Sequence, residues 1–441
     1  MRFYVAFVLL IGFQISVSGQ SGFVFETNKQ KVTIPFQFIN NLIFIPIKVN
    51  GVELNFLLDS GVEETILLSL EDKAEVRFNN VQKIKLRGLG DNEAIEGLKS
   101  SNNTLSFKGL IDRHHDVYIV LDQDFNFSSH IGIPVNGIIG YHFFKNNLVE
   151  INYDKKKIIV YKDNGALRKK MQKKFTAFPM SIERNKPYFR ADVTLNNTEV
   201  NAKLLVDLGN SDPIWLFENA DKNISIPETN FEDYLGRGFS GDINGHRAKI
   251  EKFKLHDFEF LDPIVSFPGM QSIRSVSMVP NRLGSVGGEM LKRFNIIFDY
   301  PNETISLKKS HYYSDNFTYN MSGIEIQNEG LQWVQETVKL NTVENGVSFD
   351  NTGERVDNQF KYKFSLKPVY TIASVRKNSP AQACGLQAGD QVISINSMEA
   401  YRYSLQQIND LLKSEEGKWF HFTIERGGKK LQFKFQLKSI L

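Results

Sequence analysis

Two segments of this chain repeat one pattern, and each carries an aspartate at the same place. The first is Phe56-Leu57-Leu58-Asp59-Ser60-Gly61, followed by Ile66-Leu67-Leu68. The second is Leu204-Leu205-Val206-Asp207-Leu208-Gly209, followed by Ile214-Trp215-Leu216-Phe217. Each reads as an apolar strand that ends in an acid, turns on a glycine and resumes as a second apolar run. A carboxylate at the end of a buried strand is costly unless it is paired or hydrogen-bonded. Two such costs in matching contexts point to two carboxylates brought face to face.

The repeat continues downstream. Gly137-Ile138-Ile139-Gly140 is followed by Phe143-Phe144-Lys145 and Val149-Glu150-Ile151-Asn152-Tyr153. Its counterpart, Gly284-Ser285-Val286-Gly287, is followed by Met290-Leu291-Lys292 and Ile296-Ile297-Phe298-Asp299-Tyr300. Asp59 and Asp207 lie 148 positions apart, Gly140 and Gly287 147. Similarity at one long period, seen twice, marks a duplicated domain and not a solenoid of short repeats.

An apolar strand ending in Asp-Ser/Thr-Gly, with a later apolar-apolar-Gly element, resembles one lobe of a retropepsin or pepsin-type aspartic protease. Two such lobes in one chain resemble the fused form of that family. The resemblance covers roughly residues 30–310. It implies a mostly β, bilobal, pepsin-like double β-barrel, with lobes at 30–165 and 175–310. It also implies that Asp59 and Asp207 form the catalytic pair, in active-site turns made by Ser60-Gly61 and Leu208-Gly209. Gly140 and Gly287 are the supporting glycine elements. Flaps over the cleft are expected at Arg87-Gly88-Leu89-Gly90-Asp91-Asn92 and Leu235-Gly236-Arg237-Gly238-Phe239-Ser240-Gly241, since glycine suits a mobile hairpin tip.

Two carboxylates about 3 Å apart do not both ionise; they share a proton and titrate as a pair. The ionised member would activate a water and the protonated member would polarise the scissile carbonyl. Which aspartate plays which role stays open at the level of sequence. One position departs from the family: Leu208 stands where Ser or Thr is usual. That hydroxyl normally bonds across to the opposite lobe, and the leucine side chain makes no such bond. Two functions follow, an aspartic endopeptidase or a catalytically weak pseudo-protease that clamps peptides without cutting them.

The third region carries a separate pattern. Thr371–Val375 reads as a strand, followed by Asn378-Ser379-Pro380-Ala381 and then Cys384-Gly385-Leu386-Gln387-Ala388-Gly389-Asp390-Gln391-Val392-Ile393-Ser394-Ile395-Asn396. Leu405, Ile408, Leu411 and Leu412 keep helical spacing. Two alternating runs, 420–424 and 431–435, flank Gly427-Gly428, the mark of a hairpin. This order closely resembles a PDZ domain of the bacterial kind, a small α+β fold expected at 340–441. Such domains add an extended peptide to a sheet edge. The peptide-binding loop is expected within Tyr362–Pro368. Gly385 and Gly389 read as structural turns, and Cys384 as a small buried hydrophobe on a helix.

The first residues resemble a cleaved signal peptide at 1–19: Met1-Arg2, an apolar Phe3–Phe13, and small residues at Val17-Ser18-Gly19. The apolar stretch is too short for a membrane anchor, so a secreted or periplasmic location is expected. With Cys384 as the single cysteine, no disulfide forms within the chain. A net charge of +3 over 441 residues gives no reason to expect nucleic acid or a membrane surface as partner. The expected partners are a peptide or protein substrate and a PDZ peptide ligand. A fused lobe pair completes its own site and favours a monomer. The eight histidines offer only the adjacent His114-His115-Asp116, read as a loop, so no metal or cofactor is expected. Arg168-Lys169-Lys170 and Lys173-Lys174 read as a solvated linker helix between the lobes.

Overall fold

The computed structural model describes residues 22–68, 75–86, 95–121, 127–162, 165–238, 241–274, 278–339 and 360–441. The expected signal peptide and the first glycine-rich flap, 87–92, lie outside the described residues. Among the described residues the chain is mostly β and forms four sheets.

The two copies of the aspartate motif build the same local structure. In the first, Val52–Leu58 pairs antiparallel with Leu42–Val49 and parallel with Gly137–Ile139. Gly137–Ile139 pairs in turn with Thr65–Leu67, the strand that leaves the aspartate turn. In the second, Thr198–Val206 pairs antiparallel with Lys186–Leu195 and parallel with Arg282–Val286, which pairs with Ile214–Leu216. The glycine strand is thus threaded between the strands entering and leaving each aspartate turn. It has little room: a methyl group at Gly137 would lie 2.6 Å from the Ile66 carbonyl oxygen, and one at Gly284 1.9 Å from that of Trp215. These glycines are required by close approach of neighbouring backbone.

A six-stranded sheet joins the lobes, in the order Thr176–Pro179, Thr304–Lys309, Phe294–Asp299, Leu148–Asn152, Lys157–Tyr161, Lys31–Pro35. Its centre pairs the two downstream repeats with each other, Val149 with Phe298, Glu150 with Ile297 and Ile151 with Ile296. Alternation on Lys31–Pro35, where Val32 and Ile34 are buried and their neighbours exposed, turns one face to the core. One apolar cluster runs through both lobes and this sheet, from Phe56 and Ile139 to Val206, Leu208 and Phe298. Each fully buried side chain of this size contributes about 1.5–3 kcal/mol. Between the lobes, the basic segment forms the helix Gly165–Gln172, with the Arg168 guanidinium held on the Asp299 carboxylate at 2.6 Å.

The fourth sheet builds the third region. Its first strand, Ile324–Lys339, starts ahead of residue 340 and pairs with Phe360–Val375. The segment Tyr362–Pro368, expected as a peptide-binding loop, is strand instead, its residues opposite Thr337 to Leu331. The hairpin Trp419–Arg426/Lys429–Gln436 turns on Gly427 and Gly428, both at positive φ. The helix Leu405–Leu412 buries Leu405, Ile408 and Leu412 and starts with a capping box between Ser404 and Gln407. Gly385 (φ +97°) ends the Pro380–Cys384 helix in the left-handed conformation. Cys384 is half-buried, with its thiol on the Ala381 carbonyl.

The third region docks on both lobes. Asn40 of the first lobe donates its amide to Gln406 Oε1 at 2.5 Å and accepts from Asn409 at 3.4 Å. Arg376 reaches Asp233 of the second lobe at 3.3 Å.

Candidate active site

Asp59 and Asp207 meet at the boundary between the lobes. Each sits one residue beyond its strand and is pinned by the same bonds. The Asp59 amide donates to the Ile139 carbonyl at 2.9 Å, and the Asp207 amide to the Val286 carbonyl at 2.9 Å. The Gly61 amide donates to Asp59 Oδ1 at 2.7 Å, and the Gly209 amide to Asp207 Oδ1 at 3.1 Å. The copies face each other closely. A methyl group at Gly61 would lie 2.8 Å from Asp207 Oδ1, and one at Gly209 would lie 2.2 Å from the Asp59 carboxyl carbon. Glycine at both positions leaves the room the opposing carboxylate occupies.

Ser60 links the turns. Its hydroxyl donates to the Val206 carbonyl at 2.6 Å and accepts the Leu208 amide at 3.1 Å. The missing second hydroxyl therefore removes half of a symmetric exchange, while a backbone amide at Leu208 still ties the second turn to the first. The Leu208 side chain is 1 % exposed and belongs to the main core. Gly140 and Gly287 close the turns from below. A methyl group at Gly140 would lie 2.1 Å from the Val62 carbonyl oxygen, and one at Gly287 2.3 Å from that of Asp212.

The two carboxyls are within hydrogen-bond reach and share that bond unequally: the Asp207 charge and the bond raise the proton affinity of Asp59, while the same bond lowers that of Asp207. Burial, then the Asp207 charge, pushes the Asp59 carboxyl far above the usual carboxylate range. Burial raises Asp207 too, but Arg282 and Lys186 oppose that rise. The pair thus favours a proton on Asp59 and a charge on Asp207.

The pair lies in a cavity of about 710 Å³. Its first-lobe wall combines apolar Leu42, Leu57, Ile66, Ile131 and Ile138 with the acids Glu63 and Glu64. On the second lobe, Lys186, Trp215 and Arg282 face it, as does the hairpin Asn230–Gly238/Gly241–Lys249. That hairpin is where the second flap was expected; Phe239 and Ser240 lie outside the described residues. Tyr319, Glu325, Asn409 and Lys413 of the third region form part of the same wall. A buried charge network holds this side together. Arg247 bonds Asp212 at 2.8 Å and Asp233 at 2.7 Å, and Asp233 receives Arg376. Sequence reasoning missed Lys186, Arg282 and this network, since isolated charges on strands carry no pattern until pairing brings them together.

His114, His115 and Asp116 lie within the strand Leu110–Val120, not in a loop. His115 points inward and bonds Asp112 Oδ2 at 2.8 Å and Thr65 Oγ1 at 2.6 Å, while Asp116 turns outward to Lys99. Asp112, His115 and His142 bring their ligand atoms within 4.8 Å of one another, the spacing a metal would need. Both His115 ring nitrogens are engaged in hydrogen bonds, and Asp112 also accepts the Gly22 and His114 amides. Asp112, His115 and Thr65 thus form a buried hydrogen-bonded chain that holds the Thr65–Leu67 strand.

Residues 45–143 match a family model described as aspartyl protease, and residues 371–426 match one of the PDZ domain. Among solved structures the chain is similar to the crystal structure of aspartic proteinase from Irpex lacteus. The identity is 12%, the match covers 65% of this chain and 99% of that one, and the TM-score is 0.42. A comparison with curated proteins found no match. The chain is thus similar to the aspartyl protease family over residues 45–143 and carries a PDZ domain matched over 371–426.

Proposed function

We propose that this chain is an aspartic endopeptidase, exported through the signal peptide at 1–19 and acting as a secreted or periplasmic monomer. The observation that carries the reading is the paired Asp59 and Asp207 carboxyls, each held by the glycine amide two residues on, at the floor of a peptide-sized cavity. Asp207, flanked by two cations, is the base; Asp59 is the acid. A water between them gives a proton to Asp207 as its oxygen bonds the scissile carbonyl carbon. The Asp59 proton passes to the carbonyl oxygen. The tetrahedral diol collapses as the carbon–nitrogen bond breaks: the leaving nitrogen takes the proton from Asp207, and one diol hydroxyl returns its proton to Asp59 as the carbonyl reforms. No acyl-enzyme forms.

The PDZ domain supports peptide recognition beside this chemistry. The test is cleavage of denatured casein from acidic to mildly alkaline pH by the mature protein, Asp59→Asn and Asp207→Asn. Loss of activity in both variants is expected. A folded wild-type protein that cuts at no pH but retains peptides would favour the clamp without chemistry, the reading that Leu208 keeps open.

A further inference from the structure

The two lobes repeat each other, yet beside the dyad they differ in charge. Pairing of Tyr188 with Leu205 and Phe189 with Leu204 brings Lys186 level with Asp207. In the first lobe, pairing of Phe44 with Leu57 and Ile45 with Phe56 brings Leu42 level with Asp59. Lys186 therefore stands where the first copy has a leucine. Arg282 lies two residues before Gly284, and Val135 two before the matching Gly137, so a second cation replaces a second apolar residue.

Both cations line the cavity and are partly buried. Neither has a carboxylate in ion-pair contact among the described residues. Arg282 donates Nε to the Gly284 carbonyl at 3.0 Å and lies over the Phe217 ring at 5.1 Å, which fixes it in place. Glu63, an acid near Lys186, is bonded by Asn185 at 2.6 Å. Both feel the Asp207 charge, but one acid beyond ion-pair contact does not balance two desolvated cations, and incompletely paired buried charges are costly. Two of them, on one side of the scissile position, form a site that an anionic group of the substrate would complete.

We propose that Lys186 and Arg282 form a carboxylate-binding subsite on the second-lobe side of the dyad, so that preferred substrates carry an acidic group close to the scissile bond. This deepens the endopeptidase reading and rests on it. The carboxylate comes from an Asp or Glu side chain or from a free chain terminus.

The test compares peptides that differ only in Glu or Gln at each of three positions on either side of one cleavable bond. A further pair ends, free or amidated, at the same positions. Turnover is read with wild type, Lys186→Gln and Arg282→Gln. Binding of the same peptides, fluorescently labelled, is read with Asp59→Asn, so the subsite is scored even if no peptide is cut. We expect wild type to favour Glu over Gln about 10-fold or more at one position on one side only. That ratio, taken within each variant, falls towards 1 in Lys186→Gln and Arg282→Gln. If the free terminus is preferred over the amide and Glu is not, the source is a chain end. A wild-type ratio near 1 in both turnover and binding overturns the proposal, as does a ratio that survives both substitutions while only the pH profile moves. Absence of turnover with the binding preference intact would count against the endopeptidase and leave the subsite standing.

Discussion

The Leu208 amide donates to the Ser60 hydroxyl at 3.1 Å, and that hydroxyl donates to the Val206 carbonyl at 2.6 Å. One serine therefore holds both aspartate turns. Ser60→Ala leaves a buried amide and a buried carbonyl without partners, each worth about 1–3 kcal/mol. Urea unfolding should show a loss of a few kcal/mol, and kcat should fall on the order of 10- to 100-fold as the dyad loosens. Leu208→Ala acts differently, opening a cavity that costs about 2–5 kcal/mol, while its amide bond to Ser60 persists.

Both dyad carboxyls bind protons more tightly in the folded protein than in the unfolded chain. A raised carboxyl favours the fold fully below the unfolded pKa, about 4, and that contribution is lost as pH rises through the folded value. Thermal melts should show wild type losing stability relative to Asp59→Asn as pH rises from about 4 towards 8, with the two converging in acid. The alkaline limb of the activity profile should lie above the usual carboxylate range for the same reason. A wild-type limb near pH 4 would contradict a shared proton.

Gly209→Ala tests the face-to-face packing. The added methyl group would sit 2.2 Å from the Asp59 carboxyl carbon and must displace that side chain. Activity should fall about 100-fold or more with little change in the circular dichroism spectrum. Gly209 lies outside the left-handed region, so the effect is steric and not conformational.

Arg247 is the hub between Asp212 and Asp233, and both acids are buried. Arg247→Met leaves two buried carboxylates with a reduced set of partners. A loss of about 3–5 kcal/mol in denaturant unfolding is expected. Asp233→Asn in the same protein should recover part of it, since it removes one of the orphaned charges.

The aspartate turns were legible because they depend on local order: strand, acid, small residue, glycine, and a glycine strand later. The Leu405–Leu412 helix and the Gly427-Gly428 hairpin were legible for the same reason. The support at Leu208 was not, because the amide that replaces the missing hydroxyl belongs to every residue and leaves no trace in side-chain identity. Tyr362–Pro368 read as a loop because its partner strand, Ile324–Lys339, lies beyond the resemblance that set the domain boundary. His115 read as loop because its contacts, Asp112 and Thr65, are set by strand direction and by a residue 50 positions away. Lys186 gained meaning only when its strand was laid against Val206.

The sheet that joins the lobes has a consequence for how the chain folds. Leu148–Asn152 pairs on one side with Lys157–Tyr161, a neighbour in sequence, but on the other with Phe294–Asp299. The first lobe therefore keeps an unpaired, apolar strand edge until nearly all of the second has been made and ordered. Contacts at such long sequence separation form late and slow folding, and an open edge of this kind is a template for wrong pairing. The duplication that supplies the second carboxylate also sets the time at which the first half of the molecule becomes safe from aggregation.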